Sequence, residues 1–145
     1  MTPRVRDPWR PSLVATVLAF ALAGCGTSGT KIGVKEATAH TDNGVQRVDV
    51  NVHSYYFDPN RITVDEGVPV ELVLHFKPLM TPHNMTCEHS DAGINIDKSI
   101  SFVSFDHTKH VRFTPTKAGE YDFYCGVGSH MKKGMTGTIV VRSHG

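Results

Sequence analysis

The chain has no large excess of charge. Its 15 Lys and Arg stand against 14 Asp and Glu, a net +1 with His neutral. Nucleic-acid binding normally shows as a basic patch or stripe, and no such charge excess supports it here. Long hydrophobic runs are also missing. The apolar stretch from Leu13 to Ala23 is too short to span a bilayer permanently. No segment sustains a 3.6-residue apolar period, so any helix is expected to be short. Cysteine is scarce and odd in number, three in all, which argues against a disulfide framework. No Ser/His/Asp nucleophile arrangement or paired-carboxylate motif stands out, and the expectation is that the chain is not an enzyme. Its 145 residues are enough for one domain.

What is present begins with a leader. Arg4, Arg6 and Arg10 form a basic region ahead of the apolar run, which ends in Leu22-Ala23-Gly24-Cys25. That ending resembles the bacterial lipobox. The resemblance implies a lipoprotein signal peptide over 1–24 and a lipidated Cys25. Cleavage near Ala23 as an ordinary secretory signal is the alternative. Loss of 1–24 removes three Arg and Asp7, leaving 12 basic against 13 acidic residues. The expected location is extracytoplasmic, lipid-anchored to a bacterial membrane at the periplasm or cell surface. Residues 25–44 are polar, rich in Gly, Ser, Thr and Lys, and read as a flexible tether, with an early polar strand as the other reading.

From Val45 the period becomes two. Val48, Val50 and Val52 alternate with Asp49, Asn51 and His53, the pattern of a half-buried strand. Asp58-Pro59-Asn60 and Asp65-Glu66-Gly67 are turns flanking Ile62 and Val64. Val68, Val70, Leu72, Leu74 and Phe76 share one face of a longer strand, with Pro69 marking its start or an edge position. Ile94, Ile96, Ile100, Phe102 and Phe105 supply further core candidates in a less regular region. Val111 and Phe113 follow, then Tyr121, Phe123 and Cys125 on one face, and Ile139 and Val141 near the end. Seven or eight short strands with frequent turn signals predict an all-β Greek-key β-sandwich over 45–145.

The chemistry concentrates in Tyr124-Cys125-Gly126-Val127-Gly128-Ser129-His130-Met131-Lys132-Lys133-Gly134-Met135. A thiol, an imidazole and a thioether recur at intervals of five residues on one loop between two strands. These are three of the four ligands of a blue-copper site, which uses two His and one Cys in a plane and a long, weak axial Met. The plain alternative is a strand-end Cys and two surface residues on a Gly-rich turn. A second imidazole must come from elsewhere, and Pro82-His83-Asn84 is the best candidate, with the Asn84 amide beside the ligand as a strut. Met131 would have to turn back on its own neighbour, so Met135 is favoured as the axial donor. Cys87 and His89 follow close behind His83 and are additional candidate ligands; Cys87 also reads as a small buried hydrophobe.

Taken together, these segments resemble the cupredoxins. Pro82-His83-Asn84 is similar to the first-ligand motif of plastocyanin, and Gly134-Met135-Thr136-Gly137 to the end of its ligand loop. The Cys-to-His gap is closer to that of rusticyanin or azurin. Tyr55-Phe57-Asp58-Pro59 with Arg61-Ile62-Thr63-Val64 is similar to the second strand region of many bacterial members. The resemblance implies His83, Cys125, His130 and Met135 as ligands of one copper ion. It implies single-electron transfer to partner proteins by weak docking near His130, in a protein expected to be monomeric. The surplus soft donors Met80, Met85, Cys87, His89 and Met131 motivate an alternative, copper scavenging or delivery. A Cys87–Cys125 disulfide would make a copper-free module instead.

Overall fold

A computed structural model describes residues 33–77, 81–100 and 107–143. Residues 1–32, with the expected signal peptide and Cys25, lie outside them, as do Met80, Phe102 and Phe105. The described chain forms two mixed sheets. One is ordered β1 (Glu36–Thr38), β5 (Arg61–Asp65), β11 (Thr136–Arg142), β10 (Gly119–Tyr124), β7 (His83–His89) and β8 (Ile94–Ile100). The other runs β2 (His40–Asp42), β3 (Val45–His53), β6 (Val70–Phe76) and β9 (Thr108–Phe113), with β4 (Tyr56–Asp58) also paired to β3. The all-β sandwich expected from the turn spacing is the architecture found.

The period-two pattern explains the core. Val48, Val50 and Val52 of β3 and Val70, Leu72, Leu74 and Phe76 of β6 are buried, facing Ile62, Val64, Phe123, Ile139 and Val141 of the other sheet. On the outer face of the second sheet, register places Arg47 and Arg112 on either side of Glu71. Their guanidinium groups cover the carboxylate at 2.6 Å each, and Arg112 above all holds its pKa below the usual carboxylate range.

Two expectations need correction. The chain enters the sandwich before Val45, because β1 and β2 fall in the segment read as tether. β1 adds parallel to β5, and β2 pairs antiparallel with β3. Eleven strands are present among the described residues rather than seven or eight; β1, β2 and β4 have three residues each, too few to show a period. Pro69 precedes β6 directly, so the strand-start reading holds, but β6 lies between β3 and β9 and is no edge.

One glycine sets how closely β11 packs against Phe123 and the β4–β5 turn beneath the ligand loop. Gly137 lies opposite Phe123 in the β10–β11 register. A Cβ there would overlap the Phe123 ring and the Asn60 backbone carbonyl. That carbonyl also accepts from Thr138 N–H at 2.8 Å, so it cannot easily move. Gly137→Ala is therefore expected to destabilise the domain by about 1–3 kcal/mol, the range for overpacking a filled core. A chemical-denaturation midpoint equal to that of the parent protein would count against this account.

Candidate metal centre

Four side chains converge at one pole of the sandwich. His83 is the first residue of β7, Cys125 directly follows β10, and His130 and Met135 lie on the loop to β11. All four are buried. The Cys125 Sγ is 3.9 Å from His83 Nδ1 and 3.5 Å from His130 Nδ1, and Met135 Sδ is 3.2 Å from His83 Nδ1. The His83, Cys125 and His130 donor atoms all lie within 4.8 Å of one another.

The loop holds its own shape. Cys125 N–H donates to the Met135 carbonyl at 3.0 Å, and Met135 N–H donates to the His130 carbonyl at 3.1 Å. A single 3-10 turn, Met131–Lys133, ends at Gly134, whose φ of 94° suits glycine. These bonds fold Met135 back beneath His130. Asn84 ties the loop to β7. Its Oδ1 accepts from Gly126 N–H at 2.6 Å, its own backbone N–H points at Cys125 Sγ at 3.5 Å, and its Nδ2 donates to Thr86 Oγ1 at 3.2 Å. The expected strut role of Asn84 thus has specific bonds behind it.

Among the described candidates, Cys87 and His89 are not brought to the pole. The segment after His83 is a strand, not a ligand-bearing loop. At about 3.3 Å per residue, Cys87 lies roughly 13 Å along β7 from His83, and His89 roughly 20 Å. Cys87 is buried in the core opposite Ile96, and burial, helped by Asp122 and Glu88, pushes its pKa up to about 12. His89 packs its ring against Tyr121. Met85 is a core residue, and Met131 points outward, 48% exposed. Cys87 and Cys125 are free thiols, which overturns the disulfide-bonded module.

The donor set fits one copper ion. Bonds of about 2.0 Å to nitrogen and 2.3 Å to sulfur in a trigonal plane separate N and S by roughly 3.7 Å. The two observed Cys–His separations bracket that value. Two imidazoles, one thiol and one thioether match the blue-copper set and no common zinc set.

Comparison with known proteins agrees. The family model described as a cupredoxin-like domain matches residues 13–141. The chain belongs to the cupredoxin-like family. Among solved structures, the metal-binding domain of the Cu(I)-exporting P-type ATPase of Streptococcus pneumoniae, with Cu(I), is 23% identical with a TM-score of 0.57, over 76% of this chain and 98% of that one. Auracyanin A, a blue copper protein from Chloroflexus aurantiacus, is 22% identical with a TM-score of 0.53, over 68% and 100%. Reduced rusticyanin is 19% identical with a TM-score of 0.54, over 77% and 87%. At these identities the structures share the fold. A search of curated protein sequences finds no match.

Two residues around this cupredoxin pole escaped the sequence reading as site residues. Thr81 Oγ1 lies 3.2 Å from His83 Nε2, so a hydroxyl engages the ring nitrogen that faces away from the donor cluster. Tyr55 is T-shaped to His130, with ring centroids 5.0 Å apart. Tyr55 was visible only as part of a strand motif, and nothing in the spacing of Thr81 marks it.

Burial, and then the neighbouring His130, lower the His83 pKa from 6.5 to about 4. His83 is therefore neutral, with a free lone pair, through the physiological range. The unfolded chain takes up this proton at higher pH than the folded one. The copper-free protein should accordingly lose stability as pH falls from about 6.5 towards about 4. An NMR titration placing the His83 midpoint at or above 6.5 would contradict this.

Proposed function

We propose that the protein carries single electrons through one type 1 copper ion. The observation that supports this most is the closed, buried His83–Cys125–His130–Met135 cluster, whose donors lie at ligand separations. Copper bound there supplies the one-electron Cu(I)/Cu(II) couple. Cys125, His83, His130 and Met135 would hold the ion, with the Cys125 thiolate as its main covalent ligand, Met135 would tune the potential, and the Asn84 N–H would stabilise the thiolate. The loop presents Gly126, half-buried Val127 and Gly128 beside His130. A small surface of this kind suits the brief, low-area contacts of redox partners.

Copper scavenging or delivery is the competing reading. It rests on surplus soft ligands, and of those described Cys87 and His89 lie further along β7, Met85 is a core residue and Met131 points outward from the loop. Copper stoichiometry separates the two. One copper per chain, an intense visible band on adding Cu(II), loss of that band in Cys125→Ser, and no change in Met131→Leu or in the copper content of Cys87→Ser are the expected results. Two or more Cu(I) per chain, reduced by Cys87→Ser, would favour copper handling.

The proposal extends to place. Leu22-Ala23-Gly24-Cys25 supports lipid anchoring through Cys25 at an extracytoplasmic membrane surface. Detergent-phase partitioning of the full-length protein expressed in bacteria, lost in Cys25→Ser, is the expected outcome. Equal partitioning of both forms would remove the anchor.

A further inference from the structure

Tyr55 stands in the two-residue turn between β3 and β4 with φ of 69°, a left-handed conformation that glycine or asparagine adopts far more readily. A bulky residue persists in such a conformation where its side chain serves some purpose. The ring reaches the ligand pole. It is T-shaped to His130 at 5.0 Å and 88°, and to His83 at 6.3 Å and 74°. The Lys133 ammonium sits over the same ring, 4.2 Å from its centroid, in cation–π contact. Lys133 belongs to the ligand loop, and its N–H bonds to the Ser129 and His130 carbonyls. Tyr55 comes from the other sheet. The pair therefore bridges the two sheets across the imidazole side of the site.

We propose that Tyr55 and Lys133 form a clasp that positions the His83 and His130 rings, screens them from water and small anions, and raises the reduction potential of the bound ion. The inference rests on the copper reading above. Neither residue is a ligand. Tyr55 occupies space against both imidazoles that solvent would otherwise fill. Lys133 adds a positive charge close to the centre, which disfavours the more highly charged Cu(II) over Cu(I). Each group also holds the other: the ammonium fixes the ring, and the ring fixes the ammonium near the ligand loop.

The test uses the full-length protein and the variants Tyr55→Gly, Tyr55→Phe and Lys133→Gln. Glycine suits the backbone at position 55, so Tyr55→Gly removes the ring without straining the turn. In the copper-free protein, removing the ring should shift the His83 and His130 ring-proton resonances, while Tyr55→Phe leaves them near the parent values. In the Cu(II) form, azide should leave the parent spectrum unchanged and perturb that of Tyr55→Gly. The potential should fall in Tyr55→Gly and in Lys133→Gln. Folded Tyr55→Gly with parent histidine shifts, azide resistance and potential would overturn the clasp. If Tyr55→Gly does not fold, Lys133→Gln decides: a lower potential supports the clasp and an unchanged one overturns it. Parent protein that takes up no copper defeats the electron-transfer reading instead, and the copper-free histidine shifts still judge the contact of the ring with the two ligands.

Discussion

The metal centre depends first on how β7 and β10 are joined where their ladder runs out. The two strands share a single paired position, Tyr124 with Thr86. Beyond it, the Asn84 side chain stands in for the backbone, accepting from Gly126 N–H at 2.6 Å while the Asn84 N–H faces the Cys125 sulfur. His83 and Cys125, 42 residues apart in sequence, are thereby held next to each other. An aspartate could accept the same bond but would set a negative charge beside a thiolate and could not donate to Thr86. An amide is neutral and does both.

The rest of the pole follows from loop closure. Once Cys125 is fixed, its N–H to the Met135 carbonyl closes an eleven-residue segment, and the His130 carbonyl receives Met135 from within. Three donors then come from one compact loop and one from a strand of the same sheet. The inner sides of both sheets exclude water around them. This arrangement supports the proposed electron transfer, because a buried and internally bonded donor set has little freedom to rearrange when the charge of a bound ion changes. It also explains why His83 stays neutral well below its ordinary pKa: charging it would place a cation in the core beside His130.

The sandwich and the ligand loop were legible because both are local patterns. Val48, Val50 and Val52 announce a strand by alternation, and Cys125, His130 and Met135 stand at fixed intervals on one turn-rich segment. What was hidden is non-local. β1 and β2 are short, polar and exposed or nearly so, and exist because β5 and β3 offer them partners. The run His83-Asn84-Met85-Thr86-Cys87-Glu88-His89 looks like a ligand-rich loop by composition. Its alternation of buried His83, Met85 and Cys87 becomes meaningful only once β8 and β10 are known to flank it. Tyr55 escaped for a related reason: its contacts depend on a left-handed backbone that no residue-type preference would assign to tyrosine.

The same strand geometry decides how many copper ions the composition can support. His83, Met85 and Cys87 share an inward face, so the sequence places three metal-binding side chains within five residues. The rise of an extended chain separates them: each step of two residues moves a donor about 6.6 Å further from the pole. Cys87 therefore enters apolar packing rather than the donor cluster, and that packing holds its thiol protonated, with a pKa near 12. A protonated thiol is a poor copper ligand, because the thiolate is the form that binds. Cys125 differs by position alone, at a strand end beside two imidazoles and facing a backbone N–H. Two cysteines of one domain thus have different fates from the same core, which keeps the surplus thiol from competing with the site at the pole.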